Sequence, residues 1–154
     1  MVASTKYRVS DNTAQKINRR IQREMRDRVA SCTQQGPEAI ESRLRELDEE
    51  WDIERAIEAM ASTFTLASLL LGLTVNRRFL IFPVAVAGFL LQHAVQGWCP
   101  PIPVLRRIGF RTADEISHER YALKLLRGDF GAVPPAATGP SHASPNDAIL
   151  AAAP

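Results

Sequence analysis

Cys99 is the residue best placed by type and position to do chemistry. It stands between Trp98 and the pair Pro100 and Pro101, near the end of the longest uncharged run in a chain of 154 residues. A thiol reacts as its thiolate, so its use depends on what lowers its pKa. Arg106 and Arg107 follow closely and can do so if the intervening segment folds back. Apolar surroundings act in the opposite sense, and cysteine also serves as a small hydrophobe. Two readings stay open at Cys99: a thiol relaying sulfane sulfur or redox equivalents, and a packed structural residue.

Gln92, His93 and Gln96 are the next candidates, because they are polar groups inside or beside an apolar segment. Such groups are costly in a membrane unless paired. They can hydrogen-bond across a helix pair or an oligomer interface. A solute path would need more polar lining than the first apolar run supplies with Thr63, Thr65, Ser68 and Thr74, so transport would require several chains. The carboxylates between Glu46 and Glu54 read as a solvated helix face. A Gly-rich phosphate loop, a nucleophile elbow and an HExxH pattern are missing from the sequence. His93, His118, His142, Cys32 and Cys99 are too scattered for a zinc signature. No cofactor and no metal is therefore expected. A formal net charge of +2 gives no global basic field that would draw nucleic acid.

The elements that must position these residues are set by segregation of charge. Residues 59–75 and 79–105 contain no Asp, Glu, Lys or Arg, and only Asn76, Arg77 and Arg78 separate the two runs. A membrane-crossing helix takes about 20 apolar residues, within roughly 17–25. Residues 59–75 and 79–98 qualify, and both are apolar around the whole circumference. A linker of three residues makes them antiparallel neighbours. Ala61, Thr65, Ser68 and Gly72 put small side chains on one face of the first span, where backbones can approach closely. Gly88, Gln92 and Gln96 share a face of the second and are expected to pack. Pro83 falls in its first turn, where the missing amide proton is tolerated.

Flanking these runs the chain is polar. Residues 1–11 are expected to be disordered. Residues 16–29 form a helix with Ile17, Ile21, Met25 and Val29 as a narrow apolar stripe, surrounded by Lys16, Arg19, Arg20, Arg23, Arg26 and Arg28. Residues 16–28 can thus contact anionic lipid, or the stripe can pair with a partner helix. Residues 31–36 read as a connector, and Pro37 suits the first position of an acidic helix striped by Ile40, Leu44, Leu47 and Trp51. No Gly or Pro interrupts residues 39–71, which predicts an unbroken helix running into the membrane. The basic and acidic helices, within residues 12–58, are expected to pair as an antiparallel, coiled-coil-like hairpin.

Trp98 marks the headgroup level, and Pro100, Pro101 and Pro103 predict an extended segment. Arg106 and Arg107 should then hold that end at the membrane interface on the cytoplasmic side. Thr112 and Glu115 form a capping-box pattern opening a helix to about Arg127, and Gly128 stops it. Residues 131–154, rich in Ala, Pro and Ser, are expected to be a disordered tail. Lys and Arg counts near the span ends favour cytoplasmic termini, a setting in which Cys32 and Cys99 stay reduced.

Residues 51–109 resemble the YgaP-like family of inner-membrane hairpins, found fused to a rhodanese domain or free-standing. The likeness rests on Glu54-Arg55 before the first span, a very short turn, Gly97-Trp98-Cys99-Pro100 after the second, and Ile108-Gly109. It implies a helical hairpin that dimerises in a bacterial inner membrane, with a connection to sulfur handling. No rhodanese domain is expected within these 154 residues, so sulfurtransferase activity does not carry over, and Arg111-Thr112-Ala113 stands where many members carry a second cysteine. The expected protein is all-α: a two-span antiparallel transmembrane hairpin with cytoplasmic amphipathic helices before and after it. Its expected role is a non-enzymatic oligomerisation or interaction module, or a small accessory subunit, with the lipid bilayer and itself or another membrane protein as partners.

Overall fold

The computed structural model describes residues 7–130. Among them every regular element is helical: α1 (Arg8–Asp11), α2 (Gln15–Gln35), α3 (Pro37–Glu49), α4 (Ile53–Thr74), a 3-10 turn (Arg77–Leu80), α5 (Ile81–Gln96), α6 (Ile102–Ile108) and α7 (Ala113–Arg127). The N-terminal expectation of disorder fails at α1, which buries Val9. Residues 1–6 and the expected tail, 131–154, lie outside the described residues.

The charged helices form a bundle of three rather than a pair. α2 continues through the expected connector, since Ser31, Cys32, Thr33 and the glutamines all tolerate helix, and it stops at Gly36 with φ of +102°. Pro37 then opens α3. Ile40, Leu44 and Leu47 of α3 bury against Ile116 and Leu123 of α7, with Val29 and Cys32 of α2 packed at the edge. The narrow stripes of α2 and α3 leave room for a third apolar edge, and α7 supplies it. The Thr112–Glu115 capping box and the Gly128 stop are both present.

The long helix expected over residues 39–71 is broken. Backbone at Glu50 and Asp52 is extended, and α4 restarts with the Asp52 carboxylate accepting from the Arg55 amide. Local propensity favours helix here, but tertiary contacts override it. The Ile53 amide donates to the Arg111 carbonyl at 2.8 Å, and the Arg111 guanidinium holds the Glu50 carboxylate at 2.7 and 2.5 Å. Trp51 consequently leaves the apolar stripe; it is exposed, with the Arg55 guanidinium 4.4 Å from its ring centroid.

The prolines after Trp98 end α5 but do not produce an extended segment. Pro101 and Pro103 occupy the start of α6, where a missing amide proton has no partner to lose. Being helical, α6 turns Ile102 and Leu105 inward to Val9, Ile53, Ala56, Ile57 and Cys99, forming a second core.

Two helical stretches, Pro37–Thr74 and Arg77–Gln96, are long and apolar enough to cross a membrane. The break at Glu50 and Asp52 confines the first apolar length to α4, about 33 Å at 1.5 Å per residue. α4 and α5 pack on each other. At one end Gly72 abuts Leu80, and at the other Glu54 meets His93. Ser68 and Gly72 are buried and Ala61 and Thr65 half-buried, so the small-residue stripe is the face α4 turns to its neighbour. The Ser68 hydroxyl donates back to its own helix, at the Phe64 carbonyl, so the stripe contributes close approach rather than interhelical hydrogen bonds.

Candidate functional site at the root of the apolar helices

Helices α1, α4 and α5 converge on Glu54. This carboxylate sits in the first turn of α4, two residues after the N-cap Asp52 that closes the extended break. His93, in the last turn of α5, places Nε2 at 2.5 Å from Glu54 Oε2, and Arg8 of α1 donates to Oε1 at 3.0 Å. An ionised carboxylate can only accept, so Glu54 takes a hydrogen bond from the Nε2 side of the imidazole as well as from Arg8. His93 is only 5 % exposed, and its Nδ1 is buried with no hydrogen-bond partner among the described residues. Glu54 and His93 with Arg8 make a polar clasp on the polar side of two apolar helices.

Gly97 lets α1 reach this clasp. Its φ is +73°, and a Cβ there would lie 2.5 Å from the Arg8 backbone oxygen. Asn12 then donates to the Gln96 carbonyl at 2.9 Å, capping the end of α5. The N-terminal segment is thus stitched to the exit of α5 by main-chain contact.

A second polar centre lies in the bundle. Glu119 of α7 is fully buried and receives Arg28 of α2 at 3.3 Å, Arg43 of α3 at 2.8 Å, and Arg111 in a short contact. Arg111 and Arg43 also engage Glu50. These guanidiniums hold the Glu119 carboxyl below the ordinary carboxylate range against an opposing effect of burial. Glu115 is held low in the same way by Arg106 and by the Thr112 cap. Three charges of one sign around one buried carboxylate tie α2, α3 and α7 to the chain break before α4.

The residues chosen from sequence scatter across these features. Cys99 is buried in the second core and lines an apolar cleft of about 190 Å³ between α4 and α5. Burial pushes its thiol pKa up, and the arginines expected to lower it point elsewhere. Arg106 is not at an interface: it is completely buried, donating to Glu115 at 2.6 and 2.8 Å, to Asn18 at 2.8 Å and to the Phe110 carbonyl at 3.1 Å. The helical form of α6 accounts for this, since it turns Arg106 inward and leaves Arg107 outside. Trp98 is half-buried beside Cys99. Gly88 and Gln96 face outward and Gln92 is half-buried, so this face does not pack on α4; His93, Leu90, Val86 and Pro83 lie on the side that does. The carboxylate run is not all solvated, since Glu50 and Glu54 are engaged.

Arg8, Glu119 and Arg111 in their pairing roles escaped sequence reasoning. Only the presence of arginines in every helix but α5 hinted that carboxylates would be drawn in. Among the described residues no group of three or more His, Cys, Asp or Glu is placed to hold a metal ion. No family model, curated protein or solved structure matches this chain. The YgaP-like resemblance therefore rests on the residues quoted for it.

Proposed function

We propose that this chain is an integral protein of a bacterial inner membrane, with α4 and α5 as an antiparallel transmembrane hairpin and both termini cytoplasmic. In this reading it acts as a non-enzymatic oligomerisation module or small accessory subunit, its helical bundle held at the cytoplasmic surface. One observation carries the proposal. The outer faces of the two apolar helices are uncovered, with Phe64, Leu66, Leu70, Leu73 and Val75 on one side and Ile81, Val84 and Leu91 on the other. Exposed apolar patches on soluble monomers rarely exceed a few hundred Å². Lipid, or lipid together with another transmembrane helix, is the environment such surfaces fit.

The bundle supports the same reading. Its buried charges are neutralised internally, around Glu119 and Glu115, so its interior offers a rigid platform rather than a catalytic cleft. The outward face bearing Gly88, Gln92 and Gln96 is left for a second chain, because small and hydrogen-bonding residues favour helix contact in lipid. Cys99 gives no support to a thiol relay: burial pushes its thiol pKa up, away from the reactive thiolate, and it lines an apolar cleft.

The test is extraction of membranes at alkaline pH, followed by sedimentation of the purified protein in mild detergent. Retention in the membrane pellet and a self-associated species are expected. Release into the alkaline supernatant would overturn the membrane assignment. A monomer with no co-purifying protein would overturn the interaction role.

A further inference from the structure

A basic concavity of about 900 Å³ opens at the start of α2, walled by Lys16, Ile17, Arg19, Arg20, Arg23 and Arg107. The expected ring of basic residues on α2 is thus not uniform. Arg20 is committed internally, donating to the Arg107 carbonyl at 2.7 Å and lying 3.6 Å from Glu24. Arg28 is spent on Glu119. Lys16, Arg19, Arg23 and Arg107 are exposed, and among the described residues no carboxylate lies within ion-pair distance of any of them. Arg19 has one neutral contact, to Gln15 at 3.3 Å.

The place of this concavity is fixed by α5. Asn12, just before α2, bonds the carbonyl of Gln96, the last residue of α5, and Ala14 already lines the basic wall. The opposite wall is Arg107 of α6, whose neighbours Val104 and Ile108 are exposed apolar residues four apart. A short helix with two uncovered apolar side chains beside an outward arginine has the form of an interfacial segment. Arg20, by bonding the last carbonyls of α6, locks that segment against α2.

We propose that Lys16, Arg19, Arg23 and Arg107 form a binding site for the phosphate headgroup of an anionic phospholipid in the leaflet where α5 ends. This rests on the membrane reading above and adds to it a lipid class and a set of ligands. The lipid's acyl chains run down alongside Val104, Ile108 and the outer face of α5, while the guanidiniums take the phosphate. Arginine forks suit phosphate oxygens, and juxtamembrane cations strengthen binding to anionic leaflets. The charge is concentrated against the end of a span, which favours lipid over nucleic acid as the occupant.

The full chain, purified in neutral detergent, is reconstituted into vesicles of phosphatidylcholine alone or mixed with phosphatidylglycerol. Bound lipid is then read by native mass spectrometry. Wild type should retain phosphatidylglycerol in preference to phosphatidylcholine, by about fivefold for each cation engaged. The triple variant Arg19→Gln/Arg23→Gln/Arg107→Gln should lose the preference while keeping its helical content. Arg26→Gln/Arg45→Gln, equally basic positions outside the concavity, should retain it. Equal retention of the two lipids by wild type, or undiminished preference in the triple variant, overturns the site. So does displacement by inorganic phosphate alone or by co-purifying nucleic acid. A chain that enters neither kind of vesicle overturns the membrane reading itself, whereas entry into both without preference overturns only the lipid site.

Discussion

Glu54 and His93 meet at 2.5 Å across the gap between α4 and α5, with Arg8 completing the contact from α1. The two apolar helices are thereby fastened at their polar ends by groups that no local pattern pairs. Hydrogen bonds to a charged group are worth about 1.5–3 kcal/mol. His93→Ala should lower the unfolding free energy in detergent by that amount. Gln96→Ala, one turn away and exposed, should change it little. Thermal unfolding followed by circular dichroism makes the comparison, and equal effects of the two substitutions would remove the clasp from the account.

Glu119 should be the most sensitive carboxylate in the bundle. Truncating one partner of a buried ion pair costs about 3–5 kcal/mol, because the other charge stays buried and unpaired. Glu119→Ala leaves Arg111, only 3 % exposed, with Glu50 alone. Hydrogen exchange should accelerate in α2, α3 and α7 together, and less in α4 and α5. Uniform protection across the bundle in the variant would show that the network holds nothing.

The same carboxylates predict an acid limit. Glu115 and Glu119 both have folded pKa values lowered below the ordinary 4.5. Their contribution to stability is complete above pH 4.5 and is lost as pH falls through their folded values. Helical content of the wild type should therefore decline below pH 4.5, and Glu119→Gln should show a weaker dependence over that range. A variant with an unchanged acid profile would place the cause in other groups.

Gly97 and Gly109 both have positive φ, +73° and +106°. Strain from an L side chain in that region costs about 1–2 kcal/mol at either position. Only Gly97 also faces the Arg8 main chain, since a Cβ at Gly109 meets nothing within 4 Å. Gly97→Ala should be distinctly the more damaging in urea or thermal unfolding, and it should free the segment around α1 to proteolysis. Equal losses would mean that the close approach of α1 contributes nothing.

Thiol accessibility separates the two cysteines. Cys99 is buried with a raised pKa, whereas Cys32 is half-buried at the edge of the bundle core. A water-soluble maleimide at neutral pH should label Cys32 first and reach Cys99 only after denaturation. Mass mapping of the labelled peptides reads the order. Faster labelling of Cys99 would revive the thiol relay.

Self-association can be probed on the uncovered face of α5. Among the described residues, nothing outside the local helix backbone lies within 4 Å of a Cβ built on Gly88. Gly88→Leu should therefore leave thermal stability intact while weakening association in detergent, measured by sedimentation. An unchanged oligomer would move the interface elsewhere.

The sequence by itself determined the helical class, the two apolar lengths and the small-residue face of α4. These follow from period and composition: a run of apolar residues without charge, and Ala61, Thr65, Ser68 and Gly72 at helical spacing. It also determined the stop at Gly128 and the cap at Thr112, because each is a local backbone requirement. Tertiary structure decided the rest. The break at Glu50 and Asp52 exists because Arg111 binds across it, and Arg106 is buried because α6 is helical and Glu115 waits opposite. Gly88 faces outward while His93 meets α4 because facing depends on how α5 is rotated against α4, which its all-round apolar character leaves open. Pairings between charges tens of residues apart carry no periodic signal, so only the folded chain could assign them.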